Sequence, residues 1–119
     1  MTTEYKNLID GELITTSTWM NVVNPANENV IGKVPSCGED ELNRAVAAAR
    51  RAFTTWSKTS LDERRAVLHT IADAIEANHN QLFRLLTSEQ GKPHAQAQQE
   101  IYGAAGLAKA QAGLTLDDV

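Results

Sequence analysis

An α+β fold, with a β-hairpin and short strands ahead of about four helices, follows from three features of this 119-residue sequence. From Tyr5 to Val34, apolar residues come in short runs separated by turn formers. From Gly38 onward they recur at three- and four-residue spacing, the period of a helix with one buried face. Late in that helical stretch, Glu89-Gln90-Gly91-Lys92-Pro93 inserts a stop and a restart. Residues 5–35 are therefore assigned to strands and 38–113 to helices.

Asn7-Leu8-Ile9, Asp10-Gly11 and Glu12-Leu13-Ile14 read as a hairpin, because Asp-Gly tolerates the positive φ angles of a two-residue type I′ turn. A threonine/serine loop follows. Trp19–Val23 and Val30–Val34 are two further strands, and Pro25, which lacks a ladder donor, ends the first of them. A helix is expected over Glu39–Trp56. Gly38 stands at its N-cap, Glu39, Asp40 and Glu41 fill its first turn, and Leu42, Val46, Ala49, Phe53 and Trp56 share one face.

Ser60 and Glu63 form a capping box for the next helix, with Leu61, Leu68, Ile71 and Ile75 as its buried stripe. A break at Asn78-His79-Asn80 precedes a shorter helix carrying Leu82, Phe83, Leu85 and Leu86. Gly91 supplies a left-handed C-terminal cap, and Pro93 fits the first turn of a last helix, His94–Gly113. In that helix alanine and three glycines replace large apolar residues, so close backbone approach to a neighbour is expected. Leu114–Val119 reads as an abrupt end.

The 42% hydrophobic content is rich in alanine and only two Phe, two Trp and two Tyr are present, so the core is thin for the length. A net charge of −4, with arginines interleaved among carboxylates, gives no footprint for a phosphate backbone and argues against nucleic-acid partners. Met1-Thr2-Thr3-Glu4 has no basic or apolar leader character. No stretch approaches the roughly 18 apolar residues of a membrane span, so no membrane association is expected. A single cysteine fits a reducing compartment. The expectation is a soluble cytoplasmic protein.

Cys37, just before a helix N-terminus, is the obvious candidate nucleophile. Yet no His or Lys adjoins it and Glu39, Asp40 and Glu41 follow, so it reads as a dispensable loop residue. His69, His79 and His94 fit no zinc spacing and read as solvated or capping residues. The adjacent carboxylates Asp62-Glu63 and Asp117-Asp118 are explained by a helix start and the chain's end. Gly91-Lys92-Pro93 lacks the glycines, the Lys-Ser/Thr pair and the preceding strand of a phosphate loop, and Gly32 and Gly38 form no dinucleotide fingerprint. No catalytic and no cofactor-binding residue is assigned within the chain.

The ordered set Leu8-Ile9-Asp10-Gly11-Glu12, Val22-Val23-Asn24-Pro25-Ala26, Ile31-Gly32-Lys33-Val34-Pro35, Ala45–Trp56 and Thr87–Pro93 spans nearly the whole sequence. It resembles the N-terminal part of NAD(P)-dependent aldehyde dehydrogenases. Thr87–Pro93 is similar to a variant frequent in succinate-semialdehyde dehydrogenases and related bacterial enzymes.

The resemblance implies an incomplete part of that α/β fold, ending before the oligomerisation hairpin and the nucleotide-binding and catalytic parts. The intact family oxidises aldehydes to carboxylic acids with NAD or NADP through a cysteine thiohemiacetal. Its catalytic cysteine and acid/base glutamate lie downstream, so the chain alone is expected to bind no cofactor and to be inactive. By the same resemblance the hairpin and helices pack against the nucleotide-binding domain, and the last helix approaches the substrate entrance. A monovalent cation is implied at the carbonyls of Val22 and Val23 with the Glu89 carboxylate, Glu89 alternatively being a solvated helix-end residue. Glu28 stands where a turn glycine is common, so that turn is expected to differ in shape; Leu107 and Ala110 replace frequent aromatics. Expected partners are the remainder of the enzyme or a second copy meeting through exposed apolar faces. The alternative to an enzyme scaffold is a non-enzymatic helical interaction module.

Overall fold

A computed structural model describes residues 3–115. The elements run β1 (Thr3–Glu4), β2 (Asn7–Ile9), β3 (Glu12–Ile14), β4 (Trp19–Val23), β5 (Val30–Pro35), α1 (Glu39–Trp56), α2 (Leu61–Ala77), α3 (His79–Gln90) and α4 (His94–Gly113). They gather into two compact units, Met1–Lys58 and Thr59–Val119.

In the first unit β2 and β3 form the expected hairpin, with Asn7 opposite Ile14 and Ile9 opposite Glu12. Asp10 at φ 56° and Gly11 at φ 80° give the turn both positive φ angles that a type I′ turn requires. A separate three-stranded sheet has the order β1-β5-β4, with β4 antiparallel and β1 parallel to β5. Sequence pattern did not reveal β1, a two-residue strand held by pairing alone. Gly32 on β5 lies beneath Tyr5, where a Cβ would come within 2.8 Å of the ring, so the sheet closes at this point only over glycine.

The loop between β4 and β5 is built by asparagines. Asn24 Oδ1 accepts from the Ala26 amide at 2.9 Å and the Asn24 carbonyl accepts from the Glu28 amide at 2.8 Å. Glu28 sits at φ 59°, a left-handed conformation that these hydrogen bonds hold in place.

α1 begins at Gly38, whose amide donates to Glu41 Oε2 at 2.8 Å, so the cap comes from the third helical residue reaching back. The helix meets the hairpin through its alanines. Ala45 and Ala48 are half-buried beside Leu8 and Ile9, and Arg51 Nη2 pairs with Asp10 Oδ2 at 2.7 Å. Its large apolar residues stay open, with Leu42 62% and Phe53 65% exposed.

The second unit is three helices. Ser60 and Glu63 cap α2 reciprocally: the Glu63 amide donates to Ser60 Oγ at 3.3 Å, and the Ser60 amide donates to Glu63 Oε2 at 2.9 Å. The buried stripe of α2 differs from the expected one. Ala72 is buried and Leu68 and Ile75 are half-buried, whereas Leu61 and Ile71 are each 45% exposed. The cause is the partner, since α4 offers mainly small side chains and α2 turns its narrower Leu68–Ala72–Ile75 edge toward it. α3 follows after Asn78 alone, which caps both helices, so the expected three-residue break shrinks to one.

Gly91, at φ 73°, ends α3 as expected, its amide donating to the Thr87 carbonyl at 2.8 Å. Pro93 takes the N-cap of α4 rather than its first turn, with ψ 141° setting the extended entry. Buried Ala97, Ala105 and Ala112 make the inner face of α4. Gly103, Gly106 and Gly113 have open space where a Cβ would stand, so the close approach comes from alanine and not from glycine. Lys109 Nζ on α4 pairs with Glu76 on α2 at 2.7 Å, and that bond raises the Lys109 pKa. Leu116–Val119, including Asp117-Asp118, lie outside the described residues.

Two outcomes follow. Glu28→Gly relieves a left-handed residue and should raise stability by about 1 kcal/mol in urea unfolding; an unchanged or lower midpoint would show that the turn carries no strain. The Ser60 hydroxyl and amide hold the Glu63 carboxyl below the usual glutamate range. A depressed folded-state value means that this support is present above the unfolded glutamate pKa and is lost as pH falls through the folded one. In Ser60→Ala, the Glu63 midpoint followed by NMR should move up toward that of an ordinary exposed glutamate and amide protection in the first turn of α2 should fall.

Candidate functional site

The residues able to carry chemistry fall at turns, caps and one aromatic cluster. Cys37 leaves β5 one residue before the α1 cap and is exposed. Its Sγ accepts from Asn7 Nδ2 at 2.8 Å, and it edges an open groove of about 680 Å³ lined by Leu8, Ile9, Glu39, Glu41 and Leu42 among others. The groups around the sulfur are one amide donor, two carboxylates and an apolar wall, and no imidazole or ammonium group lines the groove.

The histidines depart from expectation in part. His69 is exposed on α2. His79 is neither solvated nor a cap: its ring stacks on Tyr102 at 4.1 Å between centroids and tilts against Phe83 at 5.4 Å. His94 meets Phe83 edge-on at 5.5 Å. His79 Nε2 and Thr87 Oγ1 are buried without hydrogen-bond partners among the described residues. His79, Phe83 and Thr87 are spaced four apart along α3 and so share one face. That spacing is present in the sequence, but it carries no sign that Tyr102, one helix later, stacks on the imidazole.

Gly91-Lys92-Pro93 forms the helix-to-helix corner, and Lys92 is ion-paired to Glu100 on α4. Asp62 pairs with Arg65 at 3.2 Å and Glu63 is spent in the cap. Among the described residues, no three His, Cys, Asp or Glu side chains gather where they could hold a metal ion. Val22 and Val23 stand together on β4 in the first unit, paired with Gly32 and Val30, and the register shift between them leaves Ile31 of β5 as the extra residue. Glu89 belongs to the second unit, exposed in the last turn of α3. No helix is long and apolar enough to cross a membrane among the described residues.

Comparison with known proteins gives this scaffold a context. The profile of the aldehyde dehydrogenase family matches residues 14–118. A probable aldehyde dehydrogenase of a Pseudomonas species is 37% identical over 111 residues, which are 93% of this chain and 23% of that protein. The NADP-dependent succinate-semialdehyde dehydrogenase of Escherichia coli strain K12 is 39% identical over 102 residues, 84% of this chain and 21% of that one. The solved NAD-dependent aldehyde dehydrogenase from Sinorhizobium meliloti superposes with a TM-score of 0.90 at 34% identity, covering 95% of this chain and 24% of that chain. The chain thus spans about a fifth of the length of the curated relatives it matches. NAD(P) is the cofactor class of the intact family, and α1–α4 with the preceding strands correspond to the N-terminal segment of its fold. With the profile covering almost every residue from β3 onward, the chain belongs to the aldehyde dehydrogenase family.

Proposed function

We propose that this chain serves as scaffold in an aldehyde dehydrogenase whose whole protein oxidises an aldehyde to a carboxylic acid with NAD or NADP. On this reading the chain by itself binds neither nucleotide and is catalytically inactive. The observation that carries the reading is the open apolar face of α1, with Leu42 62% and Phe53 65% exposed, a surface suited to packing and not to chemistry. The polar groups that the sequence singles out support it, because Glu63 serves a cap, Lys92 an ion pair and Asp10 a turn and its arginine partner. The natural partner of the segment is then the remainder of the enzyme, and a cytoplasmic location fits its single free cysteine.

The purified chain, given NAD or NADP and a panel of aliphatic, aromatic and carboxylate-bearing aldehydes, should form no reduced nicotinamide, and Cys37→Ala should behave identically. Aldehyde-dependent reduction that disappears in Cys37→Ala would overturn the assignment of this chain as scaffold. Isothermal titration with NAD provides the second check, with no heat of binding expected.

A further inference from the structure

We propose that Asp10-Gly11 is a covalent modification site, where the Asp10 side chain closes on the Gly11 amide nitrogen as a succinimide and reopens as isoaspartate, and that Arg51 restrains this reaction. This goes beyond the scaffold reading and does not depend on it. The reaction needs a reachable amide nitrogen, room for a five-membered ring and access of water. Ile9 with Glu12 is the last pair of the β2–β3 ladder, so the Gly11 amide lies in the turn and outside the ladder. A Cβ built on Gly11 would meet nothing within 4 Å, so no neighbour has to move as the ring forms. The Asp10 side chain is 61% exposed, which admits water.

In the first step the Gly11 nitrogen attacks Cγ of the protonated carboxyl. The N–Cγ bond forms, a Cγ–O bond breaks, and one water leaves with the amide hydrogen. Water then adds to either ring carbonyl. Addition at Cγ restores aspartate, whereas addition at the Asp10 backbone carbonyl cleaves its bond to the Gly11 nitrogen, so that the chain runs on through Cβ and Cγ. No oxidant or cofactor takes part. The isoaspartyl product carries one extra backbone atom in a turn whose Asp10 at φ 56° and Gly11 at φ 80° set the register of Asn7 with Ile14, so modification misaligns the hairpin.

Restraint comes from α1. β2 and β3 form a sheet of their own with three pairs, and a two-stranded hairpin is marginal by itself, so its tip opens by local fraying and lets the amide rotate toward Cγ. Arg51 Nη2 meets Asp10 Oδ2 at 2.7 Å. That bond fastens the tip to the helix and keeps the carboxylate directed at α1, where it is not free to turn onto Gly11.

Ageing the full chain for weeks in mildly acidic buffer tests this, with peptide mapping and methyl transfer from S-adenosylmethionine by an isoaspartyl carboxyl methyltransferase as readouts. Isoaspartate is expected at Asp10, preceded by a species lighter by one water. It should appear faster there than at Asp40, Asp62 or Asp73, because Glu41, Glu63 and Ala74 carry a Cβ that hinders attack by their own nitrogens and glycine has none. Asp10→Glu should abolish it, since a six-membered ring closes far more slowly. Arg51→Gln should raise the rate by about two- to fivefold, the worth of an exposed ion pair, and Arg51→Lys should bring it back toward the starting value. The nuclear Overhauser contact between the Leu8 and Leu13 α-protons should persist in Arg51→Gln, which separates release of the tip from loss of the hairpin. An Asp10 that stays aspartate, a rate no faster than at Asp62, or an Arg51→Gln rate equal to the unsubstituted chain's would each overturn the proposal. So would acceleration that appears only with loss of the Leu8–Leu13 contact.

Discussion

The constraint on which everything else rests is that the large apolar side chains and the positions that become buried are mostly different residues. Among the described residues the buried apolar set is Ile9, Ala72, Phe83, Ala97, Ala105 and Ala112. Four of these six are alanines, and a methyl group removes little area from water. Burial of this kind permits close packing but contributes modestly. Leu42 and Phe53 on α1, Leu8 and Leu13 on the hairpin and Tyr102 and Leu107 on α4 remain more than half exposed. Each unit is therefore held together largely by local devices: a type I′ turn, an asparagine-built loop, reciprocal caps and a glycine stop. Surface ion pairs such as Lys109 with Glu76 and Arg51 with Asp10 fix geometry more than they stabilise it, because exposed pairs are screened by water.

This distribution explains how much the sequence disclosed. Elements bounded by a local signal were legible almost to the residue. Asp10-Gly11 set the hairpin, Gly38 and Ser60 set two helix starts, and Gly91 set a helix end, each by a backbone requirement met within four residues. The elements that depend on a distant partner were less legible. Of the stripe Leu61, Leu68, Ile71 and Ile75 that the spacing predicts, Leu68 and Ile75 turn inward with Ala72 between them because α4 presents alanine, whereas Leu61 and Ile71 stay 45% exposed. β1 was invisible because its two residues acquire strand character only by pairing with Gly32 and Lys33. His79 departs from its solvated or capping reading for a related reason. A histidine at a helix junction suggests solvent until Tyr102, one helix later in the chain, is known to stack on it.

The two sides of α1 show how one helix can satisfy two demands. Ala45, Ala48 and Ala52 recur at three and four residues and let the hairpin approach, whereas Leu42, Val46, Ala49 and Phe53 repeat with the same alternation one position further along. The two stripes share an edge, since Ala49 lines a hairpin groove with Ala45, Ala48 and Ala52, and Leu42 lines another with Leu8 and Ile9. A helix serving only the hairpin would have polar residues where Phe53 and Leu42 stand. Their presence means that the sequence is built for a second contact, whoever provides it. The same inference does not extend to α4, whose outer glycines offer access but little apolar area.

Family membership and the scatter of reactive side chains among the described residues are compatible for a physical reason. The motifs that carry the likeness are those that direct the backbone: Asn24-Pro25 at a turn, Gly32 beneath a tyrosine ring, and Gly91 with Pro93 at a helix corner. Such positions are demanding because few residues satisfy the required φ and ψ or the available space, and they remain recognisable in a segment that is about a fifth of its relatives' length. Chemistry makes a different demand, that a nucleophile, a base and a charge-stabilising donor converge on one point. Here the one thiol lies by Asn7, Glu39 and Glu41, and the histidines are engaged with aromatic rings or lie on an exposed helix face. Direction of the chain and convergence of reactive groups are separate properties of a fold, and these residues encode the first.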